Sequence, residues 1–370
     1  MSEEAKKKIV ELVEKFRLNA DAYRSPSYNE TQVRREFIDP FFEALGWDVE
    51  NRAGYAAQYK DVVHEDSIRV GFSLKAPDYS FRIGGRRKFF LEAKKPSVSI
   101  KDDVNPALQL RRYAWSARLS LSILTDFEEL AVYDGRIKPG PGDKASDGRV
   151  AYYTYDRYIE KFDEIYNTFS KEAVLKGSFD RYVESPKIKK GTAEVDTEFL
   201  KEIESWRSAI ARNLAVRNSK LTVDELNFAV QHTIDRIIFL RICEDRGVEN
   251  YGQLQALLNG KNLYDRLLQI FYRADEKYNS GLFDFKSDML SHALAIDDAV
   301  LKEIIENLYY PKSPYEFSVI GAEILGNVYE QFLGKVIRLT AGHQAKVEEK
   351  PEVKKAAGVY YTPQYIVEYI

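Results

Sequence analysis

One cysteine stands in 370 residues, Cys243, inside the apolar run Ile237-Ile238-Phe239-Leu240-Arg241-Ile242-Cys243. A single thiol excludes an internal disulfide and a cysteine-rich zinc site, and its neighbours mark it as a buried structural residue. Histidine is nearly as scarce: His64, His232, His292 and His343 fall at no metal-ligand spacing. There is no P-loop and no Gly-x-Ser-x-Gly, which removes the usual footing for nucleotide-driven and serine chemistry. No apolar stretch approaches the ~20 residues that cross a bilayer, and the N-terminus lacks the apolar core of a signal peptide. The expectation is a cytoplasmic protein without membrane association. Nor does either charge dominate: 55 basic against 58 acidic residues leave a net −3. No global positive field marks a nucleic-acid partner, so any such role rests on local basic patches.

What is present reads as globular. Hydrophobic residues make up 44% and charged residues 31%, which excludes a disordered chain, and the length allows two or three domains. Apolar residues at helical spacing (Ile9, Leu12, Val13, Phe16) predict a helix over 3–23, broken at Ser25-Pro26-Ser27. A second helix follows with two competing caps, Ser27 with Glu30 or Asn29 with Gln32, a kink at Pro40 and a stop at Gly46. Strands are then predicted at 79–83, 88–93, 119–125 and 130–133, with Gly84-Gly85 as a hairpin turn and a helix over 105–116. From about residue 197 the pattern is helical. Thr222 and Glu225 form a capping box for a helix that stops at Gly247, and further helices fit 262–279, 298–309 and 318–337. Residues 340–357, mixed in charge and poor in apolar residues, read as a linker.

The chemistry gathers on the predicted hairpin. Pro77-Asp78 opens one strand, and Glu92-Ala93-Lys94 closes its partner fourteen residues later. Phosphodiester hydrolysis calls for a hard cation that binds oxygen and keeps several waters. Two carboxylates at adjacent strand ends can hold Mg²⁺, with the Ala93 carbonyl as a third ligand. Lys94, two residues past Glu92, shares its strand face and can orient the attacking water or offset charge on the phosphate. The same residues also fit solvated strand-end charges, with Lys94 as an ion-pair partner. Gln109 and Tyr113 share a helix face and could touch phosphates or steady the metal shell; a helix surface with a half-buried tyrosine fits as well. Glu30 reads either as an outer metal ligand or as a capping-box residue. Arg82, Arg86, Arg87, Lys88, Lys94 and Lys95 against one acid, Glu92, make a phosphate-contacting stripe or a solvated hairpin. Arg241, Glu244 and Asp245 lie on the polar side of a helix and could pair with a neighbouring domain.

Taken together, Pro77-Asp78, Glu92-Ala93-Lys94 and Gln109-x-x-x-Tyr113 resemble the PD-(D/E)XK nuclease superfamily. The run from Asn29 to Pro40, followed by Leu45-Gly46-Trp47-Asp48, is similar to the opening helix of restriction-enzyme nuclease domains in that superfamily. Gly358-Val359-Tyr360-Tyr361-Thr362-Pro363 resembles the entry motif of adenine-N6 DNA methyltransferases, beside the S-adenosylmethionine pocket. The whole looks like the N-terminal portion of a type IIG restriction–modification enzyme. The chain stops at Ile370, without an Asn-Pro-Pro-Tyr tetrad or a Phe-x-Gly-x-Gly loop, so the expectation is a truncated chain.

The resemblance implies an α/β nuclease domain with a mixed sheet flanked by helices over 1–185 and an all-α connector over 190–337. A linker over 338–357 and the start of a methyltransferase over 358–370 would follow. It implies a Mg²⁺-dependent (or Mn²⁺-dependent) endonuclease acting on double-stranded DNA. Asp78, Glu92, Lys94, Glu30 and Gln109 would be catalytic; Asp78, Glu92 and the Ala93 carbonyl would hold the metal. Arg82, Arg86, Arg87, Lys88, Lys95 and Tyr113 would contact DNA. S-adenosylmethionine, the methyltransferase and the target-recognition domain would belong to the longer parent chain. The alternative is a catalytically silent nuclease fold used to bind DNA or as a scaffold; the intact Asp78, Glu92 and Lys94 favour an active site.

Overall fold

The computed structural model describes residues 2–65, 69–70, 73–74, 76–179, 181 and 194–350. They fall into two compact units, one comprising Met1–Ile68 with Leu74–Glu194, the other Arg69–Ser73 with Val195–Ile370.

The first unit is built on a mixed six-stranded sheet of order β1-β4-β5-β6-β7-β8. Its strands are β1 (Val62–His64), β4 (Tyr79–Ile83), β5 (Arg86–Ala93), β6 (Leu121–Thr125), β7 (Glu129–Asp134) and β8 (Arg149–Thr154). A separate short ladder pairs β2 (Arg69–Val70) with β3 (Ser73–Leu74). Only β5 and β6 run parallel; the other neighbours in the large sheet are antiparallel. A parallel pair needs a crossover, and α5 (Val104–Ser116) supplies it, packed on both strands. The outer strands β1 and β8 escape the sequence reading because one is only three residues long and the other, mostly half-buried, lacks a clean alternation.

Gly84 and Gly85 turn β4 into β5 with φ of 56° and 81°, the positive pair that a tight hairpin needs and only glycine adopts freely. At Gly85 a side chain is also excluded by space, since a Cβ would lie 2.9 Å from the Gln58 carbonyl oxygen.

The face of the sheet carrying Phe81, Phe89, Leu91 and Ile123 buries against the N-terminal helices. The predicted first helix is α1 (Ser2–Leu18) followed by a short α2 (Ala20–Tyr23). Ile9, Val13 and Phe16 of α1 are at most 4% exposed. Phe81 and Phe89 stack with ring centres 4.3 Å apart across the hairpin, a pair worth about 1 kcal/mol beyond its buried area.

Asn29 wins the competition for the second helix's cap, accepting from the Gln32 N–H while the Gln32 side chain accepts from the Asn29 N–H. Glu30 is therefore left without a capping role. The kink expected at Pro40 is realised differently. Between α3 (Glu30–Val33) and α4 (Asp39–Ala44) the chain widens into a π-turn over Arg34–Ile38, closed by Asp39 N–H to Arg34 O. Pro40 has no N–H to continue the α ladder and crowds the carbonyl four residues back, so the extra residue is accommodated there.

Two short helices, α6 (Phe162–Phe169) and α7 (Lys171–Leu175), follow the sheet in the first unit. The second unit carries α8 (Val195–Arg217), α9 (Val223–Asp245), α10 (Leu263–Tyr278), α11 (Asp298–Glu306) and α12 (Ala322–Leu333). The Thr222–Glu225 capping box opens α9, and Cys243 is buried within it. Arg241, Glu244 and Asp245 do not await a neighbouring domain. Arg241 Nη1 is 2.7 Å from Asp245, and Glu244 accepts from Tyr309 and from the Gly252 and Leu254 N–H groups, all within this unit.

Two expectations need correction. The unit is not all-α, and residues 340–350 are not an unstructured linker: β9 (Lys335–Leu339) pairs antiparallel with β10 (Ala345–Glu349). Gly334 ends α12 early, Ile337 buries at 1% exposed, and the Lys350 N–H closes the ladder on Gly334 O. A two-stranded ribbon wet on one side carries mixed charge, which is why its composition passes for a linker. The expected methyltransferase start at 358–370 lies outside the described residues. No helix among the described residues is long and apolar enough to cross a membrane.

Candidate active site

Strand register assembles the site. Tyr79 pairs with Leu91 and Ser80 with Phe90, so continuing the antiparallel ladder one step sets Asp78 opposite Glu92. A bulge between Phe81 and Arg82 shifts the register towards the turn, away from the carboxylates. Asp78 is fixed from its partner strand: Ala93 N–H donates to its Oδ2 at 2.7 Å. Glu92 is held from the crossover, where Gln109 on α5 donates to Oε1 at 3.2 Å. Lys94 Nζ donates to the same oxygen at 2.8 Å, and the Lys94 N–H is tied to Thr125 O at 3.0 Å. Glu30 reaches in from α3, 3.8 Å from Lys94 Nζ. The five residues singled out for catalysis thus converge.

The electrostatics follow from burial. Glu92 is 4% exposed, and its other oxygen, Oε2, is buried without a hydrogen-bond partner among the described residues. Desolvation first, and the Asp78 charge second, push the Glu92 carboxyl up to about 8 against the pull of Lys94. Burial also raises Asp78, opposed by the Ala93 N–H and by the charges of Arg34 and Lys94. Burial raises Glu30 too, and Lys94 lowers it in part. For Lys94, burial works against the charge, yet Glu92, Glu30 and Asp78 outweigh it and raise its value. A carboxylate pair that must not share a dry site unless something positive joins it is the arrangement a bound cation relieves.

Among the described residues no three His, Cys, Asp or Glu side chains cluster to hold a metal by themselves. A cation here would take Asp78, Glu92 and then backbone or water oxygens, a donor set suited to Mg²⁺ rather than zinc. The partnerless Glu92 Oε2 is the atom that fits such a ligand.

The basic stripe does not stay together. Lys94 and Lys95 lie at the carboxylate end. Arg86 is at the turn end of β5, six residues from Glu92 and so roughly 20 Å away along the strand. Arg86 is exposed, while Arg82, Arg87, Lys88 and Lys95 are half-buried. Arg82 Nε donates to Ser80 Oγ at 3.3 Å, and the Arg87 guanidinium lies 5.7 Å from the Phe90 ring centre. Tyr113 needs correction: it is 2% exposed. The helix face it shares with Gln109 is the one that packs on the sheet, so its phenol is not on the surface for a phosphate.

Sequence reasoning missed Arg34. It sits one turn after Glu30 on the same helix face, and Nη1 lies 3.4 Å from Asp78 Oδ1. That i, i+4 spacing was the available signal. Tyr79, Asp39 and His64 surround it.

Over 369 residues, 99% of its length, the chain is 39% identical to the type II restriction enzyme and methyltransferase RM.Eco57I of Escherichia coli. It spans only 36% of that protein's length. No family model matches the chain, and no solved structure matches it.

Proposed function

We propose that the first unit is a metal-dependent endonuclease of the PD-(D/E)XK type that hydrolyses phosphodiesters of double-stranded DNA. The observation that carries this reading is the buried Asp78–Glu92 pair, with Lys94 in contact and Glu92 Oε2 left without a partner. The relative's description as a restriction enzyme supports it independently. Asp78 and Glu92 would hold Mg²⁺ with the Ala93 carbonyl, and Mn²⁺ would substitute. The ion would supply Lewis-acid stabilisation of charge on the scissile phosphate and a water of lowered pKa.

The chain's own residues do the rest. The Ala93 N–H holds Asp78 Oδ2, and Gln109 with Lys94 holds Glu92 Oε1, so both carboxylates are oriented beforehand. The Lys94 ammonium, poised between Glu92 and Glu30, positions the attacking water or offsets charge that develops on the phosphate. Glu30 keeps that ammonium at the mouth of the site. Lys95, Arg82, Arg86, Arg87 and Lys88 contact the DNA backbone.

The helical part of the second unit, from Val195 to Leu333, together with the β9–β10 hairpin, is a connector. Methylation with S-adenosylmethionine and target reading, as in a type IIG restriction–modification enzyme, belong to a longer parent protein that acts in the cytoplasm.

The test incubates plasmid DNA with Mg²⁺ and either the protein or its Asp78→Ala form. Cutting by the first and not the second supports the reading; equal cutting by both removes it.

A further inference from the structure

Arg34 has a place in the site that the hydrolytic scheme leaves unused. The side chain is 17% exposed, and each guanidinium nitrogen has a neighbour. Nε donates to the Tyr79 hydroxyl at 3.2 Å, Nη1 to Asp78 Oδ1 at 3.4 Å, and Nη2 lies 3.4 Å from His64 Nδ1. The Tyr79 hydroxyl in turn donates to Asp39 at 2.6 Å. His64 Nε2 lies 3.1 Å from the Val49 carbonyl, which only accepts, so Nε2 carries the proton and Nδ1 is free to accept from Arg34. The guanidinium is therefore anchored on Tyr79 and set beside Asp78, whose contact is among the longest of the three. Arg34 is the first residue of the π-turn.

We infer that Arg34 is a positioning residue that acts as the built-in counter-ion of Asp78 and restrains cation binding until further oxygen ligands arrive. This rests on the metal-site reading above. Each carboxylate of the pair already has one cation in contact, Arg34 on Asp78 and Lys94 on Glu92, and Lys94 is shared with Glu30 at 3.8 Å. A divalent cation entering that quartet meets two carboxylates and two fixed positive groups. Lys94 is committed to the chemistry; Arg34 is the additional charge. It orients Asp78 through the 3.4 Å contact, and it opposes a cation arriving there. A phosphate brings both oxygen ligands and negative charge, so it offsets that opposition, and cation capture becomes coupled to the substrate.

The sign separates this role from a merely structural one. Losing a structural residue loosens the site and weakens metal binding, whereas losing a competing charge tightens it. Mn²⁺ without DNA is the probe, titrated by calorimetry into the wild type, Arg34→Gln, Arg34→Lys, Tyr79→Phe and Asp78→Ala, each shown folded by circular dichroism. Removing one unit charge a few ångströms from a divalent ion predicts about tenfold tighter Mn²⁺ binding by Arg34→Gln. Arg34→Lys keeps the charge and stays within about threefold of the wild type. Tyr79→Phe removes the anchor but not the charge, and shifts affinity in the same direction as Arg34→Gln by about threefold. It serves as the measurement if Arg34→Gln does not fold. Binding that is Asp78-dependent but unchanged or weaker in Arg34→Gln overturns the proposal. Absence of any Asp78-dependent Mn²⁺ binding in every form overturns the metal-site reading instead, and this proposal with it.

Discussion

Glu92→Gln keeps the shape of the buried side chain and removes its charge. In the wild type, Oε1 accepts from Lys94 and Gln109 while Oε2 has no partner among the described residues. A glutamine oxygen can keep both Oε1 bonds, and its amide takes the place of the partnerless oxygen. The stability consequence follows from linkage. A carboxyl raised from its ordinary 4.5 to about 8 in the native state stays protonated there while the unfolded chain has already lost its proton. Native stability is therefore complete below the lower value, falls as pH rises between the two, and is level above the higher one. The loss is about 1.4 kcal/mol for each pH step, with a ceiling of roughly 5 kcal/mol above pH 8. Lys94 remains buried and loses its ionised partner in the variant, which offsets part of the gain. The expected net result is that Glu92→Gln, in chelator near pH 9, is about 2 kcal/mol more stable than the wild type.

Urea denaturation at pH 6 and pH 9, in chelator and in excess Mg²⁺, measures it. The advantage should be larger at pH 9 than at pH 6. Mg²⁺ should stabilise the wild type by mass action and leave the variant unchanged. A variant less stable than the wild type in chelator at pH 9, or one stabilised equally by Mg²⁺, refutes the idea that Glu92 carries a charge the metal-free fold does not compensate.

Mn²⁺ affinity of the wild type should climb between pH 6 and pH 8 and level off above, because the ligand must lose the proton that burial holds up to about 8; a flat calorimetric profile over that range contradicts it. Lys94→Ala should lose cleavage by about a hundredfold or more while still binding Mn²⁺, and loss of both would make Lys94 a structural residue. Asp245→Ala leaves buried Arg241 without its 2.7 Å partner and should destabilise the second unit by about 3 kcal/mol. Calorimetric Mn²⁺ binding to the first unit should be unaffected, and a changed affinity would argue against two separable units. The 370 residues alone should nick DNA faintly, without a discrete fragment pattern and with steep loss as salt rises, since the basic groups here contact phosphates and do not read bases; a defined ladder at physiological salt would place recognition within this chain.

The sequence by itself determined the pieces whose cause is local. Paired glycines dictated the hairpin, period-2 and period-3.6 patterns dictated the four inner strands of the large sheet and most helices, and the Thr222–Glu225 box announced α9. The order of Asp78, Glu92 and Lys94 along one hairpin already implied their approach, because antiparallel register is set by the turn. Tertiary structure decided what depends on a third element. Which cap opens the second helix, and hence that Glu30 is free to face Lys94, could not be decided between two local boxes of the same form. That Tyr113 is inside and Gln109 touches Glu92 depends on which face of α5 lies on the sheet, and i, i+4 spacing names a face without orienting it. The spacing from Glu30 offered Arg34 as a candidate, but only the packed helix set its guanidinium 3.4 Å from Asp78. β9, with Val336, Ile337 and Leu339, was absorbed into the helical pattern before it, and β10 offers only Ala345 and Val347, since a ribbon of two strands needs to bury only one side. Burial, finally, is a property of the assembled fold: it turned Glu92 from one acid among 58 into the group whose charge the site must satisfy.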